Sequence, residues 1–298
     1  MKQGKSFLPA FFISAALILF LGALFFFRAP VLVVSDIHFN NLYGTKRILY
    51  GRVKASLSLF RPVREVILAD GIGDDGIAFA VSEVSEKPYY VGFPHRYASG
   101  ARRYKQQFPD IPVILFSGRE GDTGQNQDIT LVPTDLRTDF YRAGLGAAVL
   151  SGGGPGKILC YADDRIGTSA KHFLQLGLSE GGVESSPIFI NTNDKYVSNE
   201  QVSCIILAGN TEDPFISRQN IPIILFSWAD PALLPASVRI IFNDSPWEMI
   251  VPAVKTLQKG EFEGEIPSAA GINNGNGLTD SGKKQLKAAL SKNKPLLN

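Results

Sequence analysis

Two glycine-rich turns and three histidines are the residues whose types point first to phosphate or metal chemistry. Ser151-Gly-Gly-Gly-Pro-Gly-Lys157 carries the lysine of a phosphate-binding loop. The first glycine of that motif falls on Ser151, however, and Ile158 stands where a Ser or Thr would have to reach a magnesium ion. A tight turn between helix and strand explains the segment better. Asp70-Gly-Ile-Gly-Asp-Asp-Gly76 follows an apolar run, as a dinucleotide fingerprint would. Its glycine spacing is wrong, and its carboxylates would repel a pyrophosphate. His38, His95 and His172 lie far apart, with no pair at zinc-ligand spacing. The expectation is a protein without catalysis, cofactor or metal.

Recognition chemistry is better served. Polar residues stand singly at or just past the ends of short apolar runs. In the first half these are Ser35, Asp36, Asp70, His95, Ser117 and Arg119; in the second, Asp163, Asp164, Asn191, Asn210, Trp228 and Asp230. Such a set holds a polar solute by hydrogen bonds, while an aromatic ring such as Phe39, Phe93 or Trp228 stacks on its apolar face. Each has a structural alternative. Asp36 and Asp70 either contact the ligand or cap the helices that follow. Trp228 either stacks or packs at a hinge. Arg119 either grips a carboxylate or phosphate bidentately, or pairs with Glu120 or Asp122 in its own loop.

The elements that must position these residues alternate. Strands are expected at Val31–Ser35, Glu65–Ala69, Tyr89–Phe93 and Pro112–Phe116, with helices over Leu42–Phe60, Asp75–Val84 and Ala101–Phe108. A helix over Thr138–Leu150 opens a second series, with strands at Lys157–Tyr161, Ile188–Ile190, Cys204–Leu207 and Ile223–Phe226. Val238–Phe242 and a helix over Pro246–Lys259 follow. This alternation predicts parallel sheets built from βαβ units. The fourth strands are near-copies: Ile111-Pro-Val-Ile-Leu-Phe-Ser117 and Ile221-Pro-Ile-Ile-Leu-Phe-Ser227. The likeness predicts two lobes of one architecture, each copy being the last strand before the chain leaves its lobe. Ligands of open α/β sheets bind beyond the carboxyl ends of such strands, so a cleft is expected there.

With 298 residues, the chain is long enough for two cores. A net charge of +2 provides no concentrated basic surface for nucleic acid. Cys160 and Cys204 sit in apolar runs and are expected as buried free thiols. Residues 7–27 carry no charge between Lys5 and Arg28, a length of about 30 Å as a helix, enough to span a bilayer. The run ends in bulky Leu24-Phe-Phe-Phe27 without a small-x-small cleavage site. An uncleaved transmembrane helix is favoured over a signal peptide, with the body outside the cytoplasm because Lys2 and Lys5 hold the N-terminus inside.

Several stretches together resemble the type I periplasmic substrate-binding proteins, a fold shared with the ligand cores of sugar-responsive repressors. Thr134-Asp135-Leu-Arg-Thr-Asp139 through Leu150 is similar to the crossover into the second lobe, followed by Gly156-Lys-Ile-Leu. Ile223 to Pro231, Val238-Arg-Ile-Ile-Phe-Asn-Asp244 and Ala253 to Gly260 resemble the return. The resemblance implies an α/β protein of two doubly wound parallel-sheet lobes that close on a ligand by a hinge motion. The implied domains are an anchor at 1–29, lobe 1 at 30–132 with 231–262 returning to it, and lobe 2 at 133–230. Residues 263–298 would be a flexible linker and a short basic helix with Asp280 or Ser281 as its N-cap. Hinges are expected near 132–136, 229–231 and 240–262. Repressors of this fold carry a DNA-binding segment where this chain has its apolar run, which argues against a transcription factor. The implied function is a membrane-anchored binding protein for a small polar solute, sugar- or nucleoside-like, working with a permease or a membrane sensor. The alternatives are an enzyme on the same scaffold and a scaffold member that binds nothing.

Overall fold

A computed structural model describes residues 8–292 except 38–39, 41–44, 117–127, 153–155, 163–165, 167, 198–199, 210, 219, 227–236, 244–245, 260–264, 267 and 273–277. Helix α1 (Leu8–Phe26) leads into β1 (Val31–Asp36). Lobe 1 continues with α2 (Thr45–Leu59), β2 (Val63–Leu68), α3 (Asp74–Val84), β3 (Tyr90–Pro94), a short 3-10 turn at His95–Tyr97, α4 (Ala98–Gln107), β4 (Val113–Phe116) and β5 (Ile129–Val132). All pairings are parallel, in the order β2-β1-β3-β4-β5. β1 and β4 are buried along their whole length, so their sequences are continuous apolar runs instead of alternating ones. Val31 and Val33 face one core layer with Ile48 and Ala55 of α2. Leu32 and Val34 face the other with Ile77, Ala78 and Val81 of α3.

Lobe 2 begins with α5 (Leu136–Ser151), capped by Asp135, whose carboxylate accepts from the Thr138 amide. It continues with β6 (Lys157–Ala162), α6 (Thr168–Glu180), β7 (Ile188–Asn191), β8 (Val202–Ala208), α7 (Pro214–Arg218), β9 (Ile223–Phe226) and β10 (Val238–Asn243). Helix α8 (Pro246–Leu257) returns to lobe 1, where Trp247, Met249, Ile250 and Val254 join the α2 layer. The chain then crosses again. β11 (Ala269–Ile272) pairs antiparallel with β10, and α9 (Asp280–Leu290) closes the chain. The second sheet reads β11-β10-β9-β8-β6-β7.

The two-lobed α/β expectation holds, and three details of it do not. β5 and β10 each follow one copy of the near-repeat within the same sheet, so neither β4 nor β9 is the last strand of its lobe. Both β9 and β10 belong to the lobe 2 sheet, and of segment 231–262 it is α8 that packs in lobe 1; the hinge expected at 229–231 lies outside the described residues. The last helix is not merely a solvated surface helix, and residues 273–277 of the expected linker lie outside the described residues. β11 completes the sheet, and Leu286 and Leu290 of α9 enter the lobe 2 core. The N-cap of α9 is Thr279, accepting from the Gly282 amide, in place of Asp280 or Ser281. Both cysteines are buried free thiols.

The expected transmembrane helix is not met among the described residues, of which no helix is long and apolar enough to cross a membrane. The side chains at 8–11, 17–19 and 21 lie outside that set. α1 itself forms, and it leaves Phe12, Ile13, Phe20 and Phe26 exposed.

The pair α5 and α6 packs backbone to backbone. A Cβ on Gly144 would overlap the Leu174 carbonyl, and one on Gly177 the Tyr141 carbonyl. Because the obstacle is main chain, the helices must separate to admit a methyl group. Gly177→Ala is expected to destabilise lobe 2 by about 1–3 kcal/mol, read as a lower denaturation midpoint. An unchanged midpoint would show that this contact yields freely.

Candidate functional site

The carboxyl ends of β1, β2 and β3 are adjacent in the lobe 1 sheet, so Ser35, Asp36, Asp70 and His95 converge on one edge. Ser35 and Asp36 are buried there. The Ser35 hydroxyl donates to Glu65 Oε1 at 2.6 Å. Asp36 Oδ2 accepts from the Tyr97 hydroxyl at 2.6 Å and is ion-paired with Arg96. Burial, and next the bond to Asp36, push the Tyr97 phenol well above its usual range, so Tyr97 stays a donor at neutral pH. Asp70 is exposed beyond β2, close enough to Tyr97 to add to that shift.

Asp36 therefore orients two donors, and both Arg96, whose side chain is 26% exposed, and Tyr97 are only partly buried. A buried carboxylate with a cation and a phenol on it is stable because both partners compensate its lost hydration. The reading of Asp70 as a helix cap fails: the N-cap of α3 is Gly73, which provides no side-chain cap. Phe93 is a correction. It is fully buried in the lobe 1 core, 5.9 Å from the Tyr104 ring, and has no face left for a ligand. Both faces of this sheet are covered by helices, and Phe93 packs with Val91 and Tyr104 in one of the two core layers.

In lobe 2, Asn191 ends β7 and its side-chain oxygen accepts from the Asn193 amide at 3.0 Å. This is a turn-forming bond within its own loop. Phe39, Ser117, Arg119, Asp163, Asp164, Asn210, Trp228 and Asp230 lie outside the described residues.

Sequence reasoning missed Arg96 and Tyr97, although they directly follow His95 past a strand end and were open to the same argument. It also missed Asp213, between β8 and α7. This buried carboxylate accepts from the Tyr161 hydroxyl at 2.7 Å and from the amides of Tyr196 and Phe215 at 2.6 and 2.9 Å. Burial alone would raise its pKa, but these three bonds outweigh burial and hold the carboxyl below its ordinary value. Nothing in a single Asp-Pro dipeptide signals that network, whose donors come from three separate segments.

The crossovers run side by side. Thr134 bridges Ile266 in parallel, the Asp135 amide donates to the Ile266 carbonyl at 3.1 Å, and the Ile266 amide to the Pro133 carbonyl at 3.0 Å. Beneath them Asp139, fully buried, accepts from the Ser268 amide at 3.0 Å. Arg142 donates to the Leu290 and Ser268 carbonyls at 2.8 and 2.9 Å and lies 3.6 Å from Asp139.

Neither a family model nor a curated protein matches the sequence. Solved structures do. A transcriptional activator of the comK gene from Bacillus halodurans is 14% identical, with a TM-score of 0.51 over 89% of this chain and 96% of its own. A LacI transcriptional regulator from Rhodococcus is 11% identical, with a TM-score of 0.50 over 82% and 96%. The chain has the type I periplasmic-binding-protein-like fold. A solute-binding protein of an ABC transporter system from Conexibacter woesei matches equally, at 11% identity and a TM-score of 0.50 over 88% and 94%. These neighbours of the fold are regulators and a binding protein. In this fold the polar edge at Ser35, Asp36, Asp70 and His95 lies at the carboxyl ends of the lobe 1 strands, where open α/β sheets take ligands.

Proposed function

We propose that this protein is a membrane-anchored, extracytoplasmic binding protein for a small polar solute, sugar- or nucleoside-like, without catalytic activity. The observation that carries the reading is the lobe 1 edge. A buried carboxylate, Asp36, aims Arg96 and Tyr97, with Asp70 exposed beside them. Donors and acceptors held in fixed positions suit a hydroxyl-rich solute, which presents both at once. The remaining proposed contacts are Ser35, His95, Asn191, Phe39, Ser117, Arg119, Asp163, Asp164, Asn210, Trp228 and Asp230. The fold supports binding, because two lobes joined by paired crossovers can close on a solute. Anchoring is supported by the charge-free run from Phe7 to Phe27 and by the exposed apolar side chains of α1. The protein would deliver its solute to a permease or report it to a membrane sensor.

Native mass spectrometry of the full chain from its own membrane tests both parts. The expected result is an intact N-terminus and a co-purifying mass of one small polar molecule, lost on Asp36→Ala. A mature chain beginning after residue 27 sinks the anchor, and a ligand-free protein that no sugar or nucleoside stabilises sinks the binding role.

A further inference from the structure

The outer edge of lobe 1 is apolar and its charge is segregated. β2 is the edge strand, with α2 on one face of the sheet and α3 on the other. α2 exposes Leu49, Val53 and Leu57 at a spacing of four, a single stripe. Leu57 is 71% exposed. β2 exposes Ile67, and α3 exposes Phe79 at 63%. Scattered apolar residues on a surface need no explanation, but a patch spanning three adjacent elements marks an interaction site. The strand edge also presents unpaired backbone groups, which proteins ordinarily protect.

Charge decides what fits there. Between Asp36 and Glu65 the chain carries Lys46, Arg47, Arg52, Lys54, Arg61 and Arg64 and no acidic residue. From Glu65 to Glu86 it carries Glu65, Asp70, Asp74, Asp75, Glu83 and Glu86 and no basic one. Asp75 is paired with Arg103 of α4, whereas Glu83 and Glu86 are exposed beside Phe79. Helix α2 itself thus carries only basic charges around an apolar stripe, and α3 only acidic ones around an exposed ring, while Arg64 of β2 between them donates to the Val84 carbonyl at the end of α3.

We propose that this edge is an interface between two copies of the chain, related by a two-fold axis parallel to β2. Such an axis joins the two edges and turns one sheet over relative to the other. The basic α2 of each copy then faces the acidic α3 of its partner, and the contact is made twice. An axis perpendicular to the sheet would set α2 against α2 and repel. A lipid surface would meet the basic helix favourably and the acidic one unfavourably. The inference is independent of what the cleft binds.

Cysteine cross-linking of the full chain in native membranes tests it, because Cys160 and Cys204 are both buried. With Leu57→Cys and Phe79→Cys in one chain, mild oxidation is expected to give a covalent dimer, largely lost in either single variant. Lys54→Glu is expected to lose the dimer and Lys54→Glu with Glu83→Lys to restore it. Both cysteine sites are exposed, so folding is not at risk. A dimer from Leu57→Cys alone would overturn the axis. No dimer from the double variant would overturn the interface, and protection of position 57 from an aqueous maleimide without a dimer would assign the face to lipid.

Discussion

Arg142→Ala is expected to lower stability by about 3–5 kcal/mol, because it leaves a buried charge without its partner. Asp139 is fully buried and Arg142 is 11% exposed. Burial alone would favour the neutral form of Arg142, and Asp139 and Asp135 oppose this. The guanidinium does more than neutralise. It holds the Ser268 carbonyl at the last crossover and the Leu290 carbonyl at the end of α9. One side chain therefore fastens the returning chain to lobe 2. Thermal unfolding is expected to fall by on the order of 10 °C, with hydrogen exchange rising first across 268–290. Replacing both partners, as in Asp139→Asn with Arg142→Met, is expected to recover part of the loss, since no bare charge remains. If the single variant unfolds like the parent, or if exchange over 268–290 does not change, the clamp is not what holds the tail.

Phe226→Ala is expected to cost a similar amount, about 3–5 kcal/mol for truncating a buried aromatic residue. Phe226 closes the second copy of the near-repeat and lies in the middle of a stack. The Phe140 ring is 5.0 Å away at 28°, and the Phe242 ring 4.9 Å away at 17°. Its loss removes two ring pairs from α5, β9 and β10 at once. The effect belongs to lobe 2, whose core cluster is separate from those of lobe 1. Hydrogen exchange should accelerate in β6, β8 and β9 while β1 and β3 stay protected. Uniform acceleration through both lobes would show that they unfold as one unit.

The sequence was legible where a short-range rule applied. Strands buried on both faces leave continuous apolar runs, so β1, β4, β8 and β9 were visible within two residues of their ends. The repeat of Ile-Pro-x-Ile-Leu-Phe-Ser stated that there were two similar sheets, and both are present. The same rule placed Ser35, Asp36, Asp70 and His95 at strand ends, because a parallel strand must end where its apolar run does.

Contacts between distant segments were decided by the tertiary structure alone. Which strand borders which is a matter of loop reach and helix packing, so no local pattern showed β10 staying in lobe 2 or β11 joining it. Phe93 reads the same as a stacking ring or a core ring until Tyr104 is placed beside it. Arg96 and Tyr97 acquire their roles from Asp36, some sixty residues earlier, and Arg142 from Leu290, 148 residues later. Hydrophobic periodicity reports burial, which is a property of one segment. The partner of a buried polar group is a property of two, and the chain had to fold before that pairing existed.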